Sequence, residues 1–169
     1  MGKLRLFGLV VIVALVPGSI LLQRAIGTNE GRDPLAEGPA PEFTLRSLAG
    51  EPVSLGDFRG DPVVVHFWGS WCEPCDFQFE LLVAAREKFA DVRFVGILFR
   101  DDPGAARHYA QRRGADWPML IDPDEEAAAA YGVEGTPLTF FVDRGGRIRG
   151  SMIGEYSRPL LEDQLARIL

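Results

Sequence analysis

The chain has 169 residues, 47% of them hydrophobic, and its 24 acidic against 18 basic side chains give a formal charge of −6. That length suits one domain with a short extension, and the acidic balance argues against nucleic acid as a partner. Its only cysteines are Cys72 and Cys75, too few for a four-cysteine zinc centre.

At the N-terminus, Lys3 and Arg5 precede Leu6–Leu22, 17 residues without charge, interrupted by Pro17, Gly18 and Ser19 and followed by Arg24. Seventeen is the lower limit for a spanning helix and longer than most signal-peptide cores. Residues 1–27 therefore read as a membrane anchor, or as a signal peptide cleaved near Ala25-Ile26-Gly27. The basic end stays in the cytoplasm, which places the rest in the periplasm or otherwise outside the cytoplasm. No cysteine lies in this stretch, which excludes a lipoprotein anchor. Without Lys3, Arg5 and Arg24, 15 bases face 24 acids. Such a surface does not cling to anionic lipid headgroups. Residues 28–40 are polar, with Gly and Pro and no periodicity: a flexible linker ahead of a domain at 41–169.

Glu42–Arg46 and Pro52–Ser54, separated by Leu48-Ala49-Gly50, predict a β-hairpin, and Leu55–Phe58 a short turn. Val63–Trp68, rich in β-branched and aromatic residues, predicts a buried strand. After Gly69 and Ser70, Pro74 suits the first turn of a helix, along which Phe77, Leu81, Leu82, Ala85 and Phe89 recur at helical spacing. Val92–Phe99 is a second apolar strand. Asp102 and Pro103 then open a helix that carries Ala106, Tyr109 and Ala110 and ends near Gly114. Trp117–Ile121 reads as extended, and Asp124 as the cap of an alanine-rich helix to Tyr131. Strands at Leu138–Val142 and Arg147–Ile153 flank the turn Asp143–Gly146. A final helix, Arg158–Leu169, turns Leu161, Leu165 and Ile168 inward. Early strand–helix alternation with a late hairpin defines an α/β domain.

Cys72 falls at a helix N-terminus, with Cys75 about one turn further in. The sulfurs can meet there, and the helix dipole favours a thiolate at Cys72. His66 and His108 lie too far along the chain to complete a zinc site, and Asp76 after Cys75 excludes C-x-x-C-H haem attachment. A purely structural disulfide would close too small a loop to stabilise much. The pair reads as a redox couple, Cys72 attacking and Cys75 resolving the mixed disulfide, with no cofactor or metal beyond that disulfide. Trp71 walls the site; Trp68 does the same or packs in the core. Glu73, between the sulfurs, raises the thiol pKa and makes the pair a better electron donor, unless solvent screens it.

Phe67-Trp68-x-x-Trp71-Cys72-x-x-Cys75 is followed by Gly132-Val133-x-Gly135-Thr136-Pro137 and a strand. With the upstream stretch Pro41–Gly60, these motifs resemble the thioredoxin superfamily, in its membrane-anchored TlpA/ResA/DsbE (CcmG) branch, from Pro41 to the C-terminus. The resemblance implies a thioredoxin-like α/β sandwich: a central mixed sheet with helices on both faces, an N-terminal β-hairpin extension, and a strand–helix insert at Asp101–Tyr131. It implies a cis Pro137 facing the cysteines and a Thr136 backbone that pairs with an extended client. It also implies a protein-disulfide reductase outside the cytoplasm, Glu73-Pro74 being the dipeptide of reductant members. Its client would be apocytochrome c, and its electron donor a transmembrane thiol reductase.

Two positions depart from the pattern. His66 stands where thioredoxins carry Asp and many relatives Asn, and Gln78 where relatives often carry Glu. Strand alternation points His66 beneath Cys75, where it either relays a proton or fills the slot as a neutral packing residue. Gln78 cannot titrate, which leaves Glu134, on the facing loop, as a further acid–base candidate. Three alternatives stand beside this reading. One is the same chemistry on a copper-site assembly protein. Another is a peroxiredoxin-like thiol peroxidase, although Gly69-Ser70-Trp71 replaces the T-x-x-C helix start such an enzyme uses. The third is a non-catalytic module binding through the Pro137 face.

Overall fold

A computed structural model describes residues 37–169. The anchor at 1–27 and linker residues 28–36 lie outside the described residues. In chain order the elements are β1 (Gly38–Pro39), β2 (Thr44–Ser47), β3 (Pro52–Ser54), a 3₁₀ turn (Leu55–Phe58), β4 (Val63–Trp68), α1 (Glu73–Lys88) and β5 (Arg93–Leu98). Then follow α2 (Pro103–Arg112), β6 (Met119–Ile121), α3 (Glu126–Ala130), β7 (Leu138–Val142), β8 (Arg147–Ile153) and α4 (Arg158–Ile168). One mixed sheet runs β1-β8-β7-β4-β5-β6-β2-β3.

The central strand β4 is buried along its whole length, parallel to β5 and antiparallel to β7. A strand covered on both faces requires a continuous apolar run, and Val-Val-Val-His-Phe-Trp provides one with a single polar exception. Alternation sends Val64 and Trp68 into a core shared with α1, α2 and α4, through Phe79, Leu82, Tyr109, Leu161 and Leu165. Val63, Val65 and Phe67 face the other core, closed by Phe43, Leu55, Ala128 and Tyr131. The predicted sandwich with helices on both faces is present, three helices on one side and the short α3 on the other.

Two expectations are corrected. Gly38 and Pro39, read as linker, form an edge strand antiparallel to β8, and Ala40 N–H donates to Gly146 O at 2.9 Å. The pairing is too short to show as periodicity. Asp124 does not cap α3; Glu125 takes that place with φ 55° and no side-chain cap. Asp122, buried at the end of β6, instead accepts the Ala127 and Ala128 amides at 3.3 and 2.8 Å. Its carboxylate reaches past the Asp122-Pro123 turn, so the cap lies further from the helix than the usual spacing suggests.

Candidate active site

The end of β4 carries the chain straight to the sulfurs. Cys72 is the N-cap of α1, with extended backbone (φ −87°, ψ 99°), and Pro74 lies in the first turn, where it removes no helical hydrogen bond. Cys72 and Cys75 form a disulfide with 5.3 Å between their Cα atoms. Cys72 is 4% exposed and Cys75 0%, so an incoming thiolate meets Cys72 first; the expected open attacker is covered to a narrow rim. Trp71 is 56% exposed beside it, whereas Trp68 is wholly buried and belongs to the core.

Thr136-Pro137 is a cis bond, and Pro137 O accepts the Gly154 amide at 2.8 Å, tying the loop to the end of β8. Pro137 is buried and Thr136 half-buried at the start of β7, the strand beside β4. Glu73 and Glu134 are both exposed. Glu134 makes none of the hydrogen bonds or ion pairs that assemble the site among the described residues. Asp76 accepts the Tyr109 hydroxyl and pairs with Arg113 at 2.5 Å. Burial, and then the bond to Asp76, holds the Tyr109 hydroxyl far above the ordinary tyrosine range. With Asp76 paired, Glu73 is the carboxylate left beside the sulfurs. Among the described residues no Arg or Lys pairs with it.

His66 lies on the α1 side of the sheet, 1% exposed, edge-on to Phe79 at 5.8 Å between ring centroids. Phe79 is one helical turn beyond Cys75, so the ring faces the helix that carries the cysteines. Burial depresses the imidazole pKa from 6.5 to about 3, leaving it neutral. The sequence did not reveal its partners. Nδ1 lies 3.0 Å from Thr139 Oγ1, which lies 3.0 Å from the Tyr156 hydroxyl. Nε2 meets no protein partner, nor does either amide atom of the fully buried Gln78. A buried unpaired N–H is rarer than an unpaired acceptor, which favours Nδ1–H donating to Thr139 and a lone pair on Nε2. One signal could have found Thr139: it is the lone polar residue in the apolar run Leu138–Val142 and is opposite His66 in the sheet register.

Together these parts can receive a thiolate at the outer sulfur and release it through the inner one, beside a loop that a cis proline fixes. That makes the molecule a thioredoxin-fold thiol-disulfide oxidoreductase. The chain belongs to the AhpC/TSA family, whose profile matches residues 36–151. It is 30% identical over 134 residues to the thiol-disulfide oxidoreductase ResA of Geobacillus thermodenitrificans, covering 76% of this chain and 75% of that one. ResA of Bacillus anthracis is 27% identical over 171 residues, 99% of both chains. Among solved structures, a putative thiol:disulfide interchange protein DsbE from Chlorobium tepidum superposes with a TM-score of 0.74 at 29% identity, covering 79% of this chain and 98% of that one.

The asymmetry between the sulfurs gives a direct test. In the reduced protein, Cys72 is expected to react with iodoacetamide well below pH 8, with Cys75 protected until the chain unfolds. Peptide mass mapping of the labelled protein checks this. Equal labelling rates at the two positions would overturn the assignment of attacker and resolver.

Proposed function

We propose that this oxidoreductase runs as a reductant of protein disulfides outside the cytoplasm, with apocytochrome c haem-attachment cysteines as clients and a transmembrane thiol reductase as electron donor. The observation that carries the direction is Glu73, exposed between the sulfurs and unpaired, while Asp76 next to it is neutralised by Arg113. An unpaired anion beside Cys72 offsets part of the stabilisation that the helix N-terminus gives the thiolate, and a less stabilised reduced form makes the dithiol readier to give up its electrons. The location rests on Lys3, Arg5 and the 17-residue apolar run. The cytochrome client rests only on the resemblance of the sequence motifs to the TlpA/ResA/DsbE (CcmG) branch.

Equilibration with glutathione is expected to place the couple nearer the thioredoxin end of the scale, about −270 mV, than the strong-oxidant end at about −120 mV. A potential above about −180 mV would reverse the proposed direction. Trapping in cells with Cys75→Ser, which cannot resolve the mixed disulfide, should recover peptides bearing haem-attachment cysteines. Recovery of copper-site assembly proteins alone would leave the chemistry standing and replace the client.

A further inference from the structure

Arg100 and Glu125 are the only non-glycine residues with positive φ among the described residues, at 51° and 55°. That region is unfavourable for any residue with a Cβ, and it persists where surrounding contacts enforce it. The two lie in different loops, 25 positions apart, yet their side chains bind each other. Arg100 Nε donates to both Glu125 carboxylate oxygens at 3.0 Å, and Nη2 to Oε2 at 2.8 Å. The guanidinium also lies 4.7 Å from the centre of the Phe99 ring. A planar fork paired at its edge with a carboxylate and lying over an aromatic ring is restrained on two sides, even at an exposed position.

What this holds in place is the approach to Cys72. The Arg100 carbonyl accepts the Trp71 indole N–H at 3.1 Å. Next to it, the Asp101 carboxylate accepts the Ser70 amide at 2.5 Å and the Ser70 hydroxyl at 2.9 Å. The indole folds back over Gly69, where a Cβ would come within 2.7 Å of Trp71 Nε1. The left-handed turn at Arg100 thus aims a carbonyl at the exposed wall of the site. Glu125 stands just ahead of α3, and the chain beyond α3 runs through Gly132–Gly135 to cis Pro137. One ion pair therefore joins the loop behind Trp71 to the segment that leads into the cis-proline loop.

We propose that Arg100 and Glu125 form a latch that positions Trp71 beside the disulfide and thereby sets which disulfides reach Cys72. They are positioning residues and touch no reacting atom. Held in place, the indole offers an extended peptide a fixed apolar wall. Released, it sweeps the rim and no longer favours a peptide over a small disulfide.

The test is Arg100→Gly, since glycine takes φ 51° without strain and the turn itself is kept. The measured quantity is the ratio of kcat/KM for a cysteine-bridged peptide to kcat/KM for an aromatic small-molecule disulfide. It should fall by about fivefold, the upper range for an exposed ion pair. Acrylamide should also quench the emission more readily in a Trp117→Phe background, where the wholly buried Trp68 is the one indole left beside Trp71. Glu125→Gly should lower the ratio equally, and the double variant no further than either single one. In the unmodified protein about 1 M salt should lower the ratio, with no such effect on Arg100→Gly. An unchanged ratio, or single effects that add in full, would overturn the latch. A general loosening of the fold would lower both kcat/KM values together and leave their ratio alone, which would also overturn it.

Discussion

His66→Asn is expected to slow release of the client from Cys72 by about 10²-fold at pH 7 while leaving formation of the first mixed disulfide intact. The resolving step needs Cys75, wholly buried, to lose its proton. The candidate base is the neutral His66 imidazole, buried on the same side of the sheet and edge-on to Phe79, one helical turn beyond Cys75, with the lone pair assigned to Nε2. General-base assistance spans about 10² to 10⁴ in rate. A ring held at about pKa 3 is a weak base, which sets the expectation at the low end. Its basicity grows as the thiolate forms, because the new anion favours the imidazolium. Asn is close to His in shape and does not titrate. Stopped-flow resolution of a preformed mixed disulfide measures the step, and an unchanged rate would make His66 a packing residue.

The second large effect is on stability in acid. The folded-state pKa of His66, about 3, lies below its unfolded value of 6.5, so the unfolded chain takes up a proton that the native state refuses. Stability is therefore full above pH 6.5 and is lost as the pH falls toward 3. Between pH 7 and 4.5 the loss from this ring alone is about 3 kcal/mol, two pH units at about 1.4 each. His66→Asn should escape that loss. Urea unfolding of both oxidised proteins at the two pH values isolates the difference from the carboxylates common to both. Equal acid sensitivity would mean that the ring titrates as it does in water.

Most of the site was legible in the sequence because its parts are local. Val63–Trp68 ran as one buried strand, Pro74 marked the first helical turn, and the two-residue gap brought the sulfurs together. Thr136-Pro137 and the strand after it also fell where expected. The missing contacts are those between distant residues. Thr139 reaches His66 across 73 positions through sheet register, and Tyr156 reaches Thr139 across a further 17 from a loop that spacing does not reveal. Asp101 holds Ser70 from 31 positions away, and a carboxylate at the end of a strand gives no sign of where it turns. Asp124 misled for the same reason: the cap comes from Asp122, across a turn that includes Pro123.

The two outermost strands of the sheet, β1 and β3, have two and three residues, and each includes a proline. A strand edge with free N–H groups is a template on which other chains can stack, and proline offers no N–H. Pro39 and Pro52 therefore blunt both margins, and neither strand is long enough to seed a growing ribbon. An oxidoreductase that acts on other polypeptides is exposed to such stacking at each encounter. With its margins closed in this way, the molecule can meet another chain at the disulfide without its sheet becoming the nucleus of an aggregate.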